Sequence, residues 1–66
     1  MDLAKSLRFA IAIKGVTQTE LAGKIGVSNT QVSNWTRSGS INQSNLKKVC
    51  AELDMPVSKF IELGED

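Results

Sequence analysis

The sequence lacks histidine and tyrosine, and it contains a single cysteine and a single proline. Histidine is the commonest general base and metal ligand, and one thiol with scattered acids forms neither a zinc-ligand set nor an intramolecular disulfide. Cys50 falls on an apolar helical stripe, where a thiol behaves as a small hydrophobe. No glycine-rich phosphate loop is present. We therefore expect no catalytic residue, metal, cofactor or small-molecule substrate, and the pattern argues against an enzyme.

Long hydrophobic runs are also absent. No apolar stretch approaches the roughly 20 residues that a membrane span needs. Residues 1–13, MDLAKSLRFAIAI, lack the basic start, uninterrupted apolar core and cleavage site of a signal peptide. We therefore expect a chain that does not enter a membrane and that works in a reducing cytoplasm. Its length predicts one domain over residues 1–66, in which all apolar stripes share one core.

Charge is distributed unevenly along the chain. Residues 1–48 contain seven basic and two acidic residues, a net charge of +5, whereas residues 49–66 contain one basic and five acidic residues, a net charge of −4. A phosphate-facing surface would lie on the basic part. The alternative is a solvated surface whose asymmetry is accidental.

Helical periodicity and capping signals predict five short helices with tight turns and no strands, an all-α bundle. Thr17 and Glu20 have the spacing of a capping box, and Gly26 stands where the chain must reverse between the second and third helices. Residues 64–66 are expected to fray. The residues at the five predicted helix starts are Asp2, Thr17, Ser28, Asn42 and Pro56.

Apolar residues at helical spacing predict the core. In the first helix Leu3, Leu7, Ala10 and Ile11 form the inward stripe, and in the fourth Leu46, Val49, Cys50 and Leu53 do so. Phe9 and Ile13 lie off the first stripe. We favour ordinary packing of this pair against the C-terminal helix, with a partner surface as the alternative.

The segment from Gln18 to Trp35, QTELAGKIGVSNTQVSNW, resembles the helix-turn-helix of the lambda-repressor/Cro-like (phage C1/Cro, or XRE) DNA-binding proteins. The small Ala22 allows close approach of the two helices, and Gly26 makes the turn. The resemblance extends over nearly the whole chain. The matching motif positions, counted from the first to the eighteenth, are held by Gln18, Leu21, Ala22, Gly26, Val32 and Trp35.

This resemblance implies that the third helix docks in the DNA major groove, N-terminal end first. The groove-facing positions it implies are Ser28, Asn29, Thr30, Ser33 and Asn34. The two asparagines are expected to pair with adenine, and the Thr30 methyl group with thymine. No arginine is expected on the groove-facing part, so strong guanine recognition is not predicted. Gln31 is expected between the core and groove faces. The alternative is that these polar residues only cap and solubilise a surface helix.

The same resemblance suggests phosphate contacts around the motif. The candidates are Gln18 at the start of the second helix, Arg37 and Ser38 after the third, Asn42 and Ser44 at the start of the fourth, and Arg8 and Lys14. Each basic residue is equally consistent with a plain solvated charge. Residues 37–42 depart from the family, because the connection is short and carries few charges. We expect modest non-specific affinity.

The expected partner is a double-stranded DNA operator bound by a homodimer, since one such domain covers about one half-site. Met55, Val57 and Ile61 are the dimer-interface candidates, and Phe60 is expected in the core. The interface would be small, so we expect dimers mainly on DNA. The expected role is that of a stand-alone phage or prophage repressor of the Cro type. The alternative is that the chain is the DNA-binding head of a longer repressor. The alternative class is a protein-interaction module such as an antitoxin.

Overall fold

The computed structural model describes residues 2–65, all of whose regular structure is helical. The five helices are α1 Leu3–Lys14, α2 Gln18–Ile25, α3 Asn29–Ser38, α4 Gln43–Glu52 and α5 Val57–Leu63. The all-α prediction is therefore confirmed. The frayed end was expected to include Asp66, which lies outside the described residues.

Side-chain caps begin four of the five helices, at the residues that the sequence predicts. Asp2 accepts from the Lys5 amide at 3.0 Å. Thr17 and Glu20 form the expected capping box, with both hydrogen bonds present. Ser28 and Asn42 cap α3 and α4, and Pro56 precedes α5 without a side-chain cap bond. Each cap satisfies an N–H group that the first helical turn leaves unpaired.

One apolar core joins the five helices. Helix α1 packs against α3 and α5, α2 packs against α3 and α4, and α4 packs against α5. Full burial of a large apolar side chain stabilises the fold by about 1.5–3 kcal/mol, before entropy is counted. The buried residues of this core are Leu7, Ala10, Leu21, Ala22, Val32, Trp35, Val49, Cys50, Leu53 and Phe60.

Helices α1 and α5 run antiparallel, with the start of α1 beside the end of α5. The fully buried Ser6 hydroxyl donates to the Ile61 carbonyl at 3.4 Å. Gly64 abuts the Asp2 carbonyl so closely that a Cβ atom there would overlap it. The Ser6 hydrogen bond satisfies a polar group that burial would otherwise leave unpaired.

The packing interpretation of Phe9 and Ile13 is wrong. Their side chains are 47% and 64% exposed, respectively. The buried face of α1 is centred on Leu7 and Ala10, and the helical positions of Phe9 and Ile13 lie off that face. Phe9 and Ile13 therefore form an exposed apolar ridge on α1, where Lys5 Nζ lies 5.7 Å from the centroid of the Phe9 ring.

The three dimer-interface candidates on the C-terminal part are half-buried. Met55 and Val57 pack against the core, and Ile61 lies beside Ser6. Part of the apolar surface of each side chain is therefore already buried inside the monomer. Their role in a dimer stays a prediction.

Candidate nucleic-acid interface

Helices α2 and α3 are joined by a turn of the expected geometry. Gly26 has a φ of +76°, in the left-handed region that glycine adopts at little cost. The Ala22 carbonyl accepts from the amides of both Gly26 and Val27 at 3.0 Å. Ala22 itself is buried between the helices. The turn therefore fixes the angle at which α3 leaves α2.

Helix α3 has one buried face and one polar exposed face. Val32, Trp35 and Thr36 are buried. Thr30, Asn34 and Arg37 follow each other at i, i+4 and i+7, so they form one stripe on the exposed face. Asn29 and Ser33 form a second stripe at i and i+4. These two stripes contain every base-reading candidate except the N-cap, Ser28.

The Asn29 side chain is oriented by a residue of α2. Thr19 Oγ1 donates to Asn29 Oδ1 across the helix-turn-helix at 3.3 Å. The amide oxygen is therefore turned towards α2, and the NH₂ group is left to face away from it. Sequence reasoning missed Thr19, because a contact between residues ten apart has no local spacing signal.

Arg37 and Ser38 were expected to follow α3, but they are its last two residues. Arg37 Nη2 donates to Asn34 Oδ1 at 2.5 Å, within the exposed stripe. The Ser38 hydroxyl donates to the Asn34 carbonyl at 2.9 Å and accepts from the Ser40 amide at 3.2 Å. These contacts tie the last turn of α3 to the start of the connection that leads to α4.

An open groove of about 590 Å³ runs along the side of α3 that bears Gln31 and Ser38. Gln31, which was expected between the core and groove faces, is exposed and lines this groove. Ser40 was not predicted as a site residue. Gln31 and Ser38 are two helical turns apart, and this spacing would have predicted that they lie on the same side of α3. The groove is lined by Gln31, Asn34, Trp35, Arg37, Ser38 and Ser40.

Arg8 anchors the end of α3 to α1. Its Nη1 atom donates to the Thr36 carbonyl at 2.5 Å, and the Thr36 hydroxyl donates to the Ser33 carbonyl at 2.7 Å. A cation at a helix C-terminus is favoured by the helix dipole. Arg8 therefore has a structural contact, while its expected phosphate contact stays a prediction.

The remaining phosphate candidates occupy helix ends. Gln18 is the first residue of α2, Ser44 lies in the first turn of α4, and Lys14 is the last residue of α1. Asn42 accepts from the Asn45 amide at 2.8 Å as the N-cap of α4. The N-termini of α2 and α4 present unpaired N–H groups and positive dipole ends, which favour anions.

A family model described as helix-turn-helix matches residues 7–60, which include all of α2, α3 and α4 and most of α1. The chain belongs to the lambda-repressor-like helix-turn-helix family. Its α2 and α3 are the two helices of the motif in this lambda-repressor-like fold, which is a DNA-binding regulator fold. No curated protein matched the chain. Within residues 2–65, no helix has the length and apolar character needed to cross a bilayer.

Proposed function

We infer that this protein is a sequence-specific transcriptional regulator, a repressor of the phage Cro type that acts in the cytoplasm of a bacterium or an infected host. It binds a pseudo-palindromic operator as a dimer, with α3 in the major groove. The observation that carries this proposal is the exposed face of α3. Two stripes lie there that consist of hydroxyl and amide side chains apart from Arg37, on a helix whose other face is buried.

The base-reading set in this proposal is Ser28, Asn29, Thr30, Ser33 and Asn34. Base edges in the major groove are distinguished by their donors and acceptors, and each good contact contributes roughly 1–3 kcal/mol of discrimination. The Thr19 contact supports the assignment of Asn29, because an amide that is already oriented loses less rotamer freedom on binding.

The phosphate contacts in this proposal position the protein and carry no sequence information. They comprise the N-termini of α2 and α4, with Gln18, Asn42 and Ser44, and the cations of Arg8 and Lys14. Arg37 and Ser38 contribute at the end of α3. Few basic residues are involved, so the salt dependence per monomer is shallow.

The dimer in this proposal uses Met55, Val57 and Ile61 around a two-fold axis. These residues are half-buried in the monomer, so they offer little additional apolar area. A small interface gives a weak dimer. Two monomers therefore meet chiefly on the operator, where half-sites about 34 Å apart hold them at one helical turn of DNA.

A protein-interaction module such as an antitoxin is the second candidate function. The exposed Phe9 and Ile13 favour it, since a contiguous apolar surface often marks a binding site. The polar face of α3 has no role in this alternative, which makes DNA recognition the better supported function.

The test is selection of bound duplexes from a random DNA pool at near-physiological salt, followed by sequencing. We expect a two-fold symmetric site with half-sites about one helical turn apart. The matched control is the Asn29→Ala, Asn34→Ala double variant, whose changes lie on the exposed face and should leave the fold intact. Retention that depends only on salt, with no enriched sequence, would contradict the proposal and favour the protein-interaction module.

A further inference from the structure

The central stripe of α3 ends in a cation. Thr30, Asn34 and Arg37 lie on the exposed face, opposite the buried face of the helix. From the sequence we expected Arg37 after the recognition helix and no arginine on the groove-facing part of that helix. Arg37 instead belongs to α3 and shares a stripe with two base-reading candidates.

The guanidinium of Arg37 is turned back along the helix. Arg37 Nη2 lies 2.5 Å from Asn34 Oδ1, a charge-assisted hydrogen bond between residues one turn apart. The three-residue separation of Asn34 and Arg37 corresponds to about 4.5 Å along the helix axis. The positive charge therefore lies near Asn34, over the middle of α3, and not beyond the C-terminal end of the helix.

The hydrogen bond also determines what the pair offers to a base. Arginine has five N–H donors and no acceptor, and this contact uses one of them. The Asn34 amide oxygen accepts from Arg37 with one of its two lone pairs, and both N–H groups of the Asn34 amide remain as donors. The pair thus presents several donors side by side at the rim of the open groove.

Donors of this kind match one base edge best. Guanine presents two acceptors, N7 and O6, in the major groove, whereas adenine presents one acceptor and one donor. Bidentate recognition of adenine needs the amide oxygen as an acceptor as well as the amide NH₂ group, and Arg37 occupies one of the two lone pairs of the Asn34 oxygen. The chemistry of the pair favours guanine over adenine.

We propose that Arg37 and Asn34 act as one guanine-reading unit, in which Asn34 holds the arginine and Arg37 contacts N7 and O6 of a guanine in each half-site. The proposal rests on the proposed function, since it names the base that α3 reads. It replaces both the adenine expected at Asn34 and the phosphate contact expected at Arg37.

The test compares the duplexes selected by the wild-type protein, Arg37→Lys, Asn34→Ala and the double variant. Arg37→Lys keeps the charge but loses the fork that matches two acceptors. We expect each single variant to relax a guanine preference at the same base pair of each half-site, by roughly 5- to 100-fold in relative affinity. The double variant should lose little more than Arg37→Lys alone, because the two residues act together.

Two controls separate the possible roles. Ser58→Ala, at an exposed position of α5 outside the proposed interface, should leave the guanine preference unchanged. Arg37→Gln removes the charge, so the slope of log affinity against log salt should stay close to that of the wild type if Arg37 contacts a base, and a slope lowered by about 1 would show a phosphate contact. Circular dichroism and thermal unfolding of each variant should match the wild type, because both side chains are exposed.

The outcomes are distinguishable. If neither variant changes any base preference and both bind all sequences equally more weakly, the guanine-reading unit is overturned. Arg37 would then contact a phosphate. Shifts at two different base pairs overturn the coupling. A wild-type pool without any enriched sequence overturns the proposed function itself and the unit with it.

Discussion

The Thr19 hydroxyl of α2 donates a hydrogen bond to the Asn29 amide oxygen of α3, at 3.3 Å across the helix-turn-helix. The two residues lie at the N-terminal parts of their helices. This contact links the orientation of a base-reading candidate to the packing of the motif. Side chains held by neighbours in this way bind with less loss of rotamer freedom.

Thr19→Val should weaken specific DNA binding without unfolding the protein. Valine keeps the shape of threonine but removes the donor, so the Asn29 amide loses its preferred orientation. We expect a loss of roughly 2- to 10-fold on the selected operator, and a larger loss for Asn29→Ala, with little change on a scrambled duplex. Fluorescence anisotropy titrations measure both. Losses that simply add in the double variant would show that Thr19 does not act through Asn29.

Ala22→Val should separate the two helices of the motif. Ala22 is buried in the core, and two extra methyl groups there should lower the free energy of unfolding by about 1–3 kcal/mol. For a chain of this size each kcal/mol corresponds to a Tm shift of about 4–8 °C. Ala51→Val, at an exposed position of α4, is the matched control and should cost only about 0.5 kcal/mol. Equal Tm values for the two variants would contradict the placement of the motif.

Gly39→Ala and Gly23→Ala should change stability in opposite directions. Gly39 has a φ of +72°, and a Cβ atom there would lie 3.0 Å from the Ala4 backbone nitrogen. We expect a loss of at least about 1 kcal/mol from backbone strain, with crowding added to it. Gly23 lies inside α2 with open space around it, so alanine should gain about 0.5–1 kcal/mol there. Chemical unfolding curves of both variants provide the comparison. A neutral Gly39→Ala would contradict the left-handed backbone conformation at this position.

Cys50 should make the fold less stable at alkaline pH. Burial raises the pKa of the Cys50 thiol above its usual value. The folded state therefore keeps the thiol neutral while the unfolded chain ionises. The stabilising contribution is complete below the unfolded pKa and is lost as pH rises through the raised folded pKa. Urea unfolding at several pH values from 7 to 10 should show this loss in the wild type.

The control for that measurement is Cys50→Ala, in which the thiol contribution to the pH dependence disappears. Identical alkaline slopes in the two proteins would assign the loss to other groups. Thiol reagents should also modify native Cys50 slowly, since its side chain is almost fully buried.

Local signals predicted the helices well because each cap and its partner lie within one turn of each other. Asp2, Thr17, Ser28 and Asn42 all cap the helices that they were expected to start. The error at Phe9 and Ile13 has a different origin. Periodicity indicates that a position is on an apolar face, but the placement of the neighbouring helices decides whether that face is covered.

The side-chain contacts that orient the candidate interface were not predictable from spacing. Arg8 meets the Thr36 carbonyl across 28 positions of sequence, and Thr19 meets Asn29 across ten. Such pairs depend on the packing angles between helices. The contact between Asn34 and Arg37 is local, and its i, i+3 spacing was visible in the sequence. It was missed because α3 was expected to end earlier.

The contact between Gly64 and Asp2 places both ends of the described chain at one corner of the molecule. Gly39, at the end of α3, lies beside Ala4 near the same corner. A polypeptide tether that joins two copies in tandem would therefore run from corner to corner without crossing the body of either copy. The first turn of α3, at the other end of that helix, would remain clear of the tether.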